Sequence, residues 1–595
     1  MSETTIAEIA QAFDRDADGP SEKVFLNPGF EFTLKAIAER FSDTNDATLW
    51  AVALLLIALE RGGTCLPLAE IANAPGAEAI PSHLSGQSII EWEVALSGSA
   101  FGVLGSDPKP LLVANDRLYF DRYFQLESAV ARQLLTPLDT SAPEATLERP
   151  QNWGDICNEV FTDADAPSRK VAEQFFDGRC YVLAGGPGTG KTYTIAKLLA
   201  ALDRAGVPLS DISLCAPTGK AASRMKDAIQ DALTGTRANP ETVKKIATST
   251  IHTLLSITPQ SFKRKSVTAL NTKLVICDET SMVDLALLHE LLKSLPPSAR
   301  IILVGDPNQL QSVDVGSAML DLIRAHEAGI LPGTVLEVVH RVDASMDTVA
   351  RAELLEFFQE IRTAMSADRA ISMLEAGMQA VTYIPYDPEN DSEAQVAPAL
   401  AEAVQRATTL KKLAKGEFDH EAIKSALTSS MVLTAQHEGD LSRTWWIGAI
   451  SGGAKFRSLR ADQLGLPILI TASDRANHLT NGDSGLLVAS EGGVSFALSE
   501  REPSKPISAT VLRHFQAWWA MTIHKSQGSE FDNVTVAITP KSRLISKELL
   551  YTAITRAKKH VTVIAVEEDL RRAIESPAKR FTGLFEALIE AASKR

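Results

Sequence analysis

Cysteine is scarce in this 595-residue chain: Cys65, Cys157, Cys180, Cys215 and Cys277, with no two forming a Cys-x-x-Cys pair. That excludes the ligand spacing of a zinc ribbon or a cysteine-held iron–sulfur cluster. Scattered single thiols suit a reducing cytoplasm. A positive balance is also missing. The formal net charge is −15, so overall charge points to no nucleic-acid partner, and any such contact needs a local basic channel. "MSETTIAEIAQAFDRD" has no basic segment followed by an apolar stretch and predicts no signal peptide. The longest apolar run, "LWAVALLLIAL" (Leu49 to Leu59), is too short to span a bilayer and reads as a buried helix. Tandem repeats and low-complexity tracts are absent. With 45% hydrophobic and 22% charged residues, what remains is an ordinary globular composition, long enough for roughly three to five domains.

The chain divides by pattern. "TPLDTSAPEATLERPQNWGD" (Thr136 to Asp155) is rich in Pro, Ser, Thr and Glu without apolar periodicity and reads as a linker. Before it lies a mainly helical region with one hairpin, "PLLVANDRLYF", turning at Asn115-Asp116, and then the helical "FQLESAVARQLL". From Cys180, the short β-rich runs "CYVLA", "ISLCAP", "KLVICDE" and "RIILVGD" alternate with amphipathic helices, which argues for a parallel sheet. Residues 345–426 read as helical and charge-speckled. "MVLTAQ" reopens strand-like sequence, and "LPILITASDRANHLTNGDSGLLVAS" with "GVSFALS" reads as a small β module with Asn-Gly and Gly-Gly turns.

Three motifs carry chemistry. "CYVLAGGPGTGKTYTIAKLLAAL" places Gly185, Gly186, Pro187, Gly188, Thr189, Gly190, Lys191 and Thr192 between a strand and a helix. Such a loop turns backbone N–H groups and a helix N-terminus onto a β-phosphate; Lys191 reaches the β- and γ-phosphates, and the Thr192 hydroxyl binds Mg²⁺. In "KLVICDETSMVD" the pair Asp278-Glu279 ends a buried strand. After a P-loop, the aspartate orients Mg²⁺ and the glutamate polarises water; alone, the pair would read as a helix cap. "RIILVGDPNQLQSV" ends a further strand at Gly305-Asp306, and Gln309 in the following loop can donate to a γ-phosphate and accept from water. The alternative reading of that segment is an ordinary Asp-Pro turn.

In order, these motifs resemble those of superfamily 1 helicases. "CAPTGKAASRM" is similar to motif Ia, "TSTIHTLL" to Ib, "ICDETSMVD" and "VGDPNQLQSV" to II and III, "VVHRVD" to IV, "AMTIHKSQGSEFDNVTV" to V, and "YTAITRAKKH" to VI. "GGPGTGKT", "DPNQLQSVDVG" and "TIHKSQGSEFD" further resemble the RecD family, the alpha subunits of exodeoxyribonuclease V, over nearly the whole chain. The resemblance implies an α/β fold of two RecA-like P-loop NTPase lobes with parallel sheets, an inserted small SH3-like β-barrel and a mainly helical N-terminal domain. The implied boundaries are 1–140 for the N-terminal, partner-binding domain, 141–155 for the linker, 156–340 for lobe one, 341–445 with 512–595 for lobe two, and 446–511 for the insert.

The resemblance also implies ATP and Mg²⁺ as cofactors and 5′→3′ movement on single-stranded and end-containing duplex DNA. It implies RecB- and RecC-like partner subunits, no membrane, and the bacterial cytoplasm. Matched motifs assign Arg341 and Arg556 as cations from lobe two that join Lys191, Asp278, Glu279 and Gln309 in catalysis. Gln527, Gly528 and Glu530 are assigned to the nucleotide, and Thr218, Lys220, Thr250, His252, Thr522, His524 and Lys525 to the DNA strand. Trp518 and Trp519 read first as core and second as base-stacking platforms.

Arg169 occupies the position where the superfamily carries an adenine-reading glutamine, a departure from the pattern. Two other readings compete. A stand-alone RecD-like helicase would carry a longer N-terminal region with helix-hairpin-helix elements, whereas about 150 residues precede the P-loop lobe here and hold no Gly-x-Gly hairpin pair. A scaffold with a dead ATPase fold conflicts with intact Lys191, Asp278, Glu279, Gln309 and Arg556. No cluster of Asp, Glu and Lys resembling a nuclease site stands outside the helicase motifs, so nuclease activity is expected only in a partner subunit.

Overall fold

A computed structural model describes Thr5, Ile9 and most of the chain from residue 30 onward. Outside the described residues lie the rest of 1–29, 41–44, 74–79, 81–83, 85–87, 98–110, 142–145, 235–245, 258–268, 340–341, 453–462 and 499–505. So do 313, 344, 417–418, 475, 492, 543 and 578–579.

The N-terminal part packs helices Phe30–Arg40, Asp46–Glu60 and Ile89–Ser97 with a three-stranded antiparallel sheet: β1 (Cys65–Pro67), β2 (Leu111–Ala114) and β3 (Arg117–Phe120), in the order β1-β3-β2. Helix Asp46–Glu60 holds the long apolar run and is buried over most of its length. Asn45 caps it by accepting from the Thr48 N–H at 2.8 Å. The β2–β3 hairpin turns at Asn115 and Asp116, both left-handed at φ 52° and 56°. Asn and Asp tolerate that conformation best among non-glycine residues.

The first large sheet is wholly parallel. It comprises β4 (Cys180–Gly185), β5 (Ile212–Ala216), β6 (Ala247–Thr250), β7 (Leu274–Cys277), β8 (Arg300–Gly305) and β9 (Gly333–Leu336), ordered β6-β5-β7-β8-β4-β9. Its inner strands are buried on both faces, which explains their near-continuous apolar runs. Alternate residues feed two cores: Tyr181, Leu183, Ile302 and Val304 on one face, and Cys180, Val182, Ile301 and Leu303 on the other.

The second face is covered from both ends of the chain. Val130 and Leu134 of helix Asp121–Leu135 and Leu584 and Leu588 of helix Leu584–Ser593 belong to that core. Both helices therefore pack on the first lobe's sheet, although the sequence boundaries place them in the N-terminal domain and the second lobe; helix Asp121–Leu135 also holds the N-terminal domain, where Thr64 Oγ1 donates to Glu127. Amphipathic spacing fixes a helix and its apolar stripe but not the sheet that receives it. The linker is also shorter than expected. Helix Trp153–Val160 begins inside it, and Leu147 and Trp153 are buried in the first-lobe core.

The second parallel sheet uses β10 (Val381–Pro385) and β11 (Ser430–Thr434). An antiparallel sheet then interrupts it: β12 (Pro467–Ile470), β13 (Ser484–Ser490), β14 (Gly493–Leu498), β15 (Ile507–Ser508) and β16 (Phe515–Ala517), ordered β15-β14-β13-β12-β16. The chain returns through β17 (Ala520–Thr522), β18 (Phe531–Ala537) and β19 (Ala557–Ala565), giving the order β10-β19-β18-β11-β17. Strand β10 falls in the stretch read as helical, and it pairs with β19 at the sheet edge. The expected small barrel is a five-stranded sheet with β15 and β16 at its edges; no pairing joins those edges among the described residues. Ile468, Leu486 and Phe496 of this insert share one core with Val432 and Val534 of the second parallel sheet. No helix among the described residues is long and apolar enough to cross a membrane.

Candidate nucleotide and nucleic-acid site

Strand order arranges the motifs. Along the C-terminal edge of the first sheet, β6 ends at Thr250, β5, β7 and β8 end just before Thr218, Asp278 and Asp306, and β4 ends in the P-loop. Carboxyl edges of open parallel sheets are where such folds bind ligands. The order separates two neighbourhoods, with phosphate-type residues around β7-β8-β4 and the matched DNA residues at β6-β5.

Gly188 and Gly190 are left-handed, at φ 74° and 84°, a conformation that costs glycine little. A Cβ on Gly185 would meet Thr189 Oγ1 at 2.5 Å and Leu336 O at 2.9 Å, and one on Gly186 would come 3.2 Å from the Tyr551 hydroxyl. The turn is therefore a cradle that only glycine leaves open. Helix Lys191–Arg204 starts directly after it. Lys191 Nζ donates to Gly185 O at 2.6 Å and Gly186 O at 2.9 Å, and Thr192 is half-buried on the first turn.

Asp278 accepts from the Glu279 N–H at 2.8 Å. Burial first, then the Glu279 charge, raise the Asp278 pKa to about 6, against the opposing pull of Lys191. Glu279 itself is left-handed at φ 51°, a strained conformation for a residue with a Cβ. Asp306 is buried, with one carboxylate oxygen accepting from the Asn308 N–H at 3.0 Å and the other unpartnered. Burial raises its pKa, and Lys191 works against that rise. Carboxylates around one lysine, one of them with an unused buried oxygen, fit a divalent cation with phosphate.

The second lobe closes onto this edge. Arg556 is buried, and its Nη2 donates to Gln309 Oε1 at 2.7 Å while its Nε donates to Thr552 O at 3.0 Å. The Leu310 N–H donates to Thr552 Oγ1 at 3.0 Å, and Gln527 Nε2 donates to Leu310 O at 3.3 Å. Gly528 lies over Ala221, where a Cβ would meet its Cα at 3.8 Å. Glu530 is paired with Lys558 at 3.4 Å. Arg341 lies outside the described residues. Tyr551 and Thr552, which open the motif VI segment but were given no role by sequence, reach the cradle and the Gln309 loop. Their signal was membership of the motif VI segment, on the helix that leads into Arg556.

The matched DNA residues divide by exposure. His252, His524 and Lys525 are exposed. Partial burial, then the charges of Arg580 and His437, hold the His524 pKa below its ordinary value. Lys525 Nζ donates to Gln516 Oε1 at 3.1 Å. Thr218 and Thr250 cap the starts of their helices, accepting from the Ala221 and Thr253 N–H groups at 3.2 Å and 3.1 Å. Thr522 and Lys220 are buried. The Lys220 ammonium stands 5.2 Å from the Trp518 ring centroid, within cation–π range. Trp518 and Trp519 are buried core residues. Arg169 lies on the surface, donating to Glu173 at 2.8 Å and Asn158 at 2.7 Å.

Two parallel-sheet lobes, a P-loop on one and a buried arginine from the other define an ATP-dependent helicase of the two-lobed P-loop class. Family models agree: residues 168–315 match an AAA domain, 517–564 a UvrD-like helicase C-terminal domain, and 31–119 the N-terminal domain of the RecBCD enzyme subunit RecD. The chain belongs to the RecD family. It is 34% identical to the RecBCD enzyme subunit RecD of Mycolicibacterium smegmatis, covering 92% of this chain and 95% of that one. Against the RecD of Mycobacterium tuberculosis the identity is 32%, with 91% of each chain covered. The ATP-dependent RecD2 DNA helicase of Deinococcus radiodurans is 28% identical over 85% of this chain and 63% of that protein.

Proposed function

We propose that the chain is the RecD motor of a RecBCD-type exodeoxyribonuclease V: an ATP-driven 5′→3′ DNA helicase that works with RecB- and RecC-like subunits in the bacterial cytoplasm. It would serve double-strand-break repair by homologous recombination and DNA degradation, with nuclease chemistry in a partner subunit. The observation that carries this reading is the Gln309–Arg556 hydrogen bond, which joins the two lobes beside the P-loop. The stand-alone alternative is less favoured, because identity and coverage are both higher for the RecD subunits of Mycolicibacterium smegmatis and Mycobacterium tuberculosis than for RecD2.

Lys191 and the glycine cradle would hold the β- and γ-phosphates. Glu279, held in its strained backbone, would orient and deprotonate the attacking water, and Gln309 would bridge that water to the γ-phosphate. Arg556 would exchange its bond to Gln309 for the charge that develops on the transferring phosphoryl. Thr192 and Asp278 would hold Mg²⁺, which neutralises phosphate charge when bound. His252, His524 and Lys525 offer exposed contacts for a strand backbone, and opening of the cleft would move the lobes along it.

Lys191→Gln should abolish DNA-stimulated ATP hydrolysis while leaving the fold intact; retained hydrolysis would sink the motor assignment. Partial duplexes with 5′ or 3′ tails test direction, and unwinding only from 3′ tails contradicts 5′→3′ movement. Copurification tests the partners: a fully active monomer eluting alone would favour the stand-alone reading.

A further inference from the structure

The loop from Gln309 to Gly316 leaves the nucleotide edge and ends at the N-terminal domain. At its start, Leu310 is bonded to Thr552 and Gln527 of the second lobe. At its end, the Gly316 N–H donates to Gly62 O at 2.8 Å. Gly62 follows the central helix of the N-terminal domain, Asp46–Glu60. Ser312 Oγ folds the loop on itself by donating to Asp314 O at 2.9 Å and Gly316 O at 3.0 Å.

One side chain touches both partners of this junction. Arg580 Nη1 donates to Ser312 O. The same guanidinium lies beneath Gly62, where a Cβ would come 2.6 Å from Nη1. Gly62 is left-handed at φ 84°, so its glycine serves both the turn and the close approach. The next residues are stitched to the N-terminal domain as well, the Thr64 N–H donating to Phe581 O at 2.8 Å. Arg580 is also near enough to His524 for its charge to lower the imidazole pKa, second to burial.

We propose that Arg580 is a positioning residue that clamps the Gln309–Gly316 loop to the N-terminal domain, so that a shift of that domain is felt at Gln309. A protein bound to the N-terminal domain thereby gains a route to the rate of ATP turnover. The inference rests on the reading of Gln309 as a group that faces the γ-phosphate. A loop of the first lobe bonded to the second lobe at one end and to the N-terminal domain at the other gives such coupling a contiguous physical route.

The test uses the full chain with single-stranded DNA and follows ATP hydrolysis and thermal melting together. Arg580→Ala is expected to lower kcat about tenfold with KM for ATP within about twofold, and Arg580→Lys to recover most of that loss. Gly62→Ala, remote from nucleotide, is expected to reproduce the kcat defect by displacing the guanidinium. Should the alanine variant fail to fold, Arg580→Gln, which keeps a donor without the charge, is expected to show an intermediate loss. Parental kcat in whichever of these folds overturns the proposal, as does an equal loss in the alanine and lysine variants that merely follows a lowered melting temperature. Lys191→Gln separates the two levels. If it still hydrolyses ATP, the nucleotide-site reading falls and this proposal with it; if it is inert beside an unimpaired Arg580→Ala, the proposal alone falls.

Discussion

Gln309 Oε1 accepts a hydrogen bond from Arg556 Nη2 at 2.7 Å, across 247 positions of sequence and between the two parallel sheets. Both side chains are buried, so each is the other's substitute for water. Arg556→Ala should lower kcat about 10³-fold, the range for a charge that stabilises a transferring phosphoryl. Gln309→Ala should cost less. The double variant should be little worse than Arg556→Ala alone, because the two act as a unit. Steady-state hydrolysis under saturating ATP and DNA checks this, and losses that multiply would mean independent roles.

Much of the nucleotide edge was legible in the sequence because its chemistry is local. A P-loop needs its glycines, lysine and threonine in one continuous run, and Asp278-Glu279 must end a strand. The hairpin at Asn115-Asp116 was legible for the same reason, since positive φ selects those residues. Contacts set by topology were not. Nothing in "VTYIP" says that it pairs with β19, and its helical surroundings masked a strand of five residues. Thr552, Tyr551 and Arg580 act through partners hundreds of positions away, and no spacing rule links them. The amphipathic spacing of helix Leu584–Ser593 was equally silent about which lobe receives it.

Trp518 should not report DNA. Its ring is buried, its Nε1–H donates to Met521 Sδ at 3.2 Å, and Phe531 lies 6.1 Å away. Lys220 and Arg406 stand over it at 5.2 Å and 5.9 Å. Trp518→Phe should leave single-strand affinity within about twofold while lowering stability by about 1–3 kcal/mol, the usual cost of reshaping a packed core site. Titration with an oligonucleotide followed by anisotropy, alongside denaturant unfolding, measures both. A tenfold loss of affinity at unchanged stability would restore the stacking role.

His524 and Lys525 sit between β17, which ends at Thr522, and Gln527, which is bonded to Leu310. They are exposed, while the neighbouring Ser526 is buried and donates to Ile523 O at 2.7 Å. That division suits a short helix whose outer side meets a strand and whose inner side is fixed. The double variant His524→Ala, Lys525→Ala is expected to uncouple the motor, with unwinding falling about tenfold more than hydrolysis, since each lost phosphate contact weakens grip without touching the nucleotide. Parallel measurement of base pairs opened and ATP consumed decides it. Equal losses in both would remove the coupling role from this segment.

Glu127 gives the junction of the chain ends a pH dependence. Its carboxyl is buried, accepting from Thr64 Oγ1 and from the Gly583 N–H at 2.9 Å. Burial raises its pKa to about 7, helped by the Asp321 charge and opposed by the hydrogen bonds from Thr64, Gly583 and Tyr119. The unfolded carboxyl titrates near about 4.3, so between those values the folded state holds the extra proton. Stability tied to Glu127 is then fully present below about pH 4 and is lost as pH rises through about 7, to a total of about 4 kcal/mol. Glu127→Gln stays neutral throughout. Its first unfolding transition should fall no higher than the parent's at pH 5 and rise above it by pH 8. Calorimetric scans of both proteins across that range measure the difference, and a gap that stays constant from pH 5 to pH 8 would show that Glu127 does not titrate there.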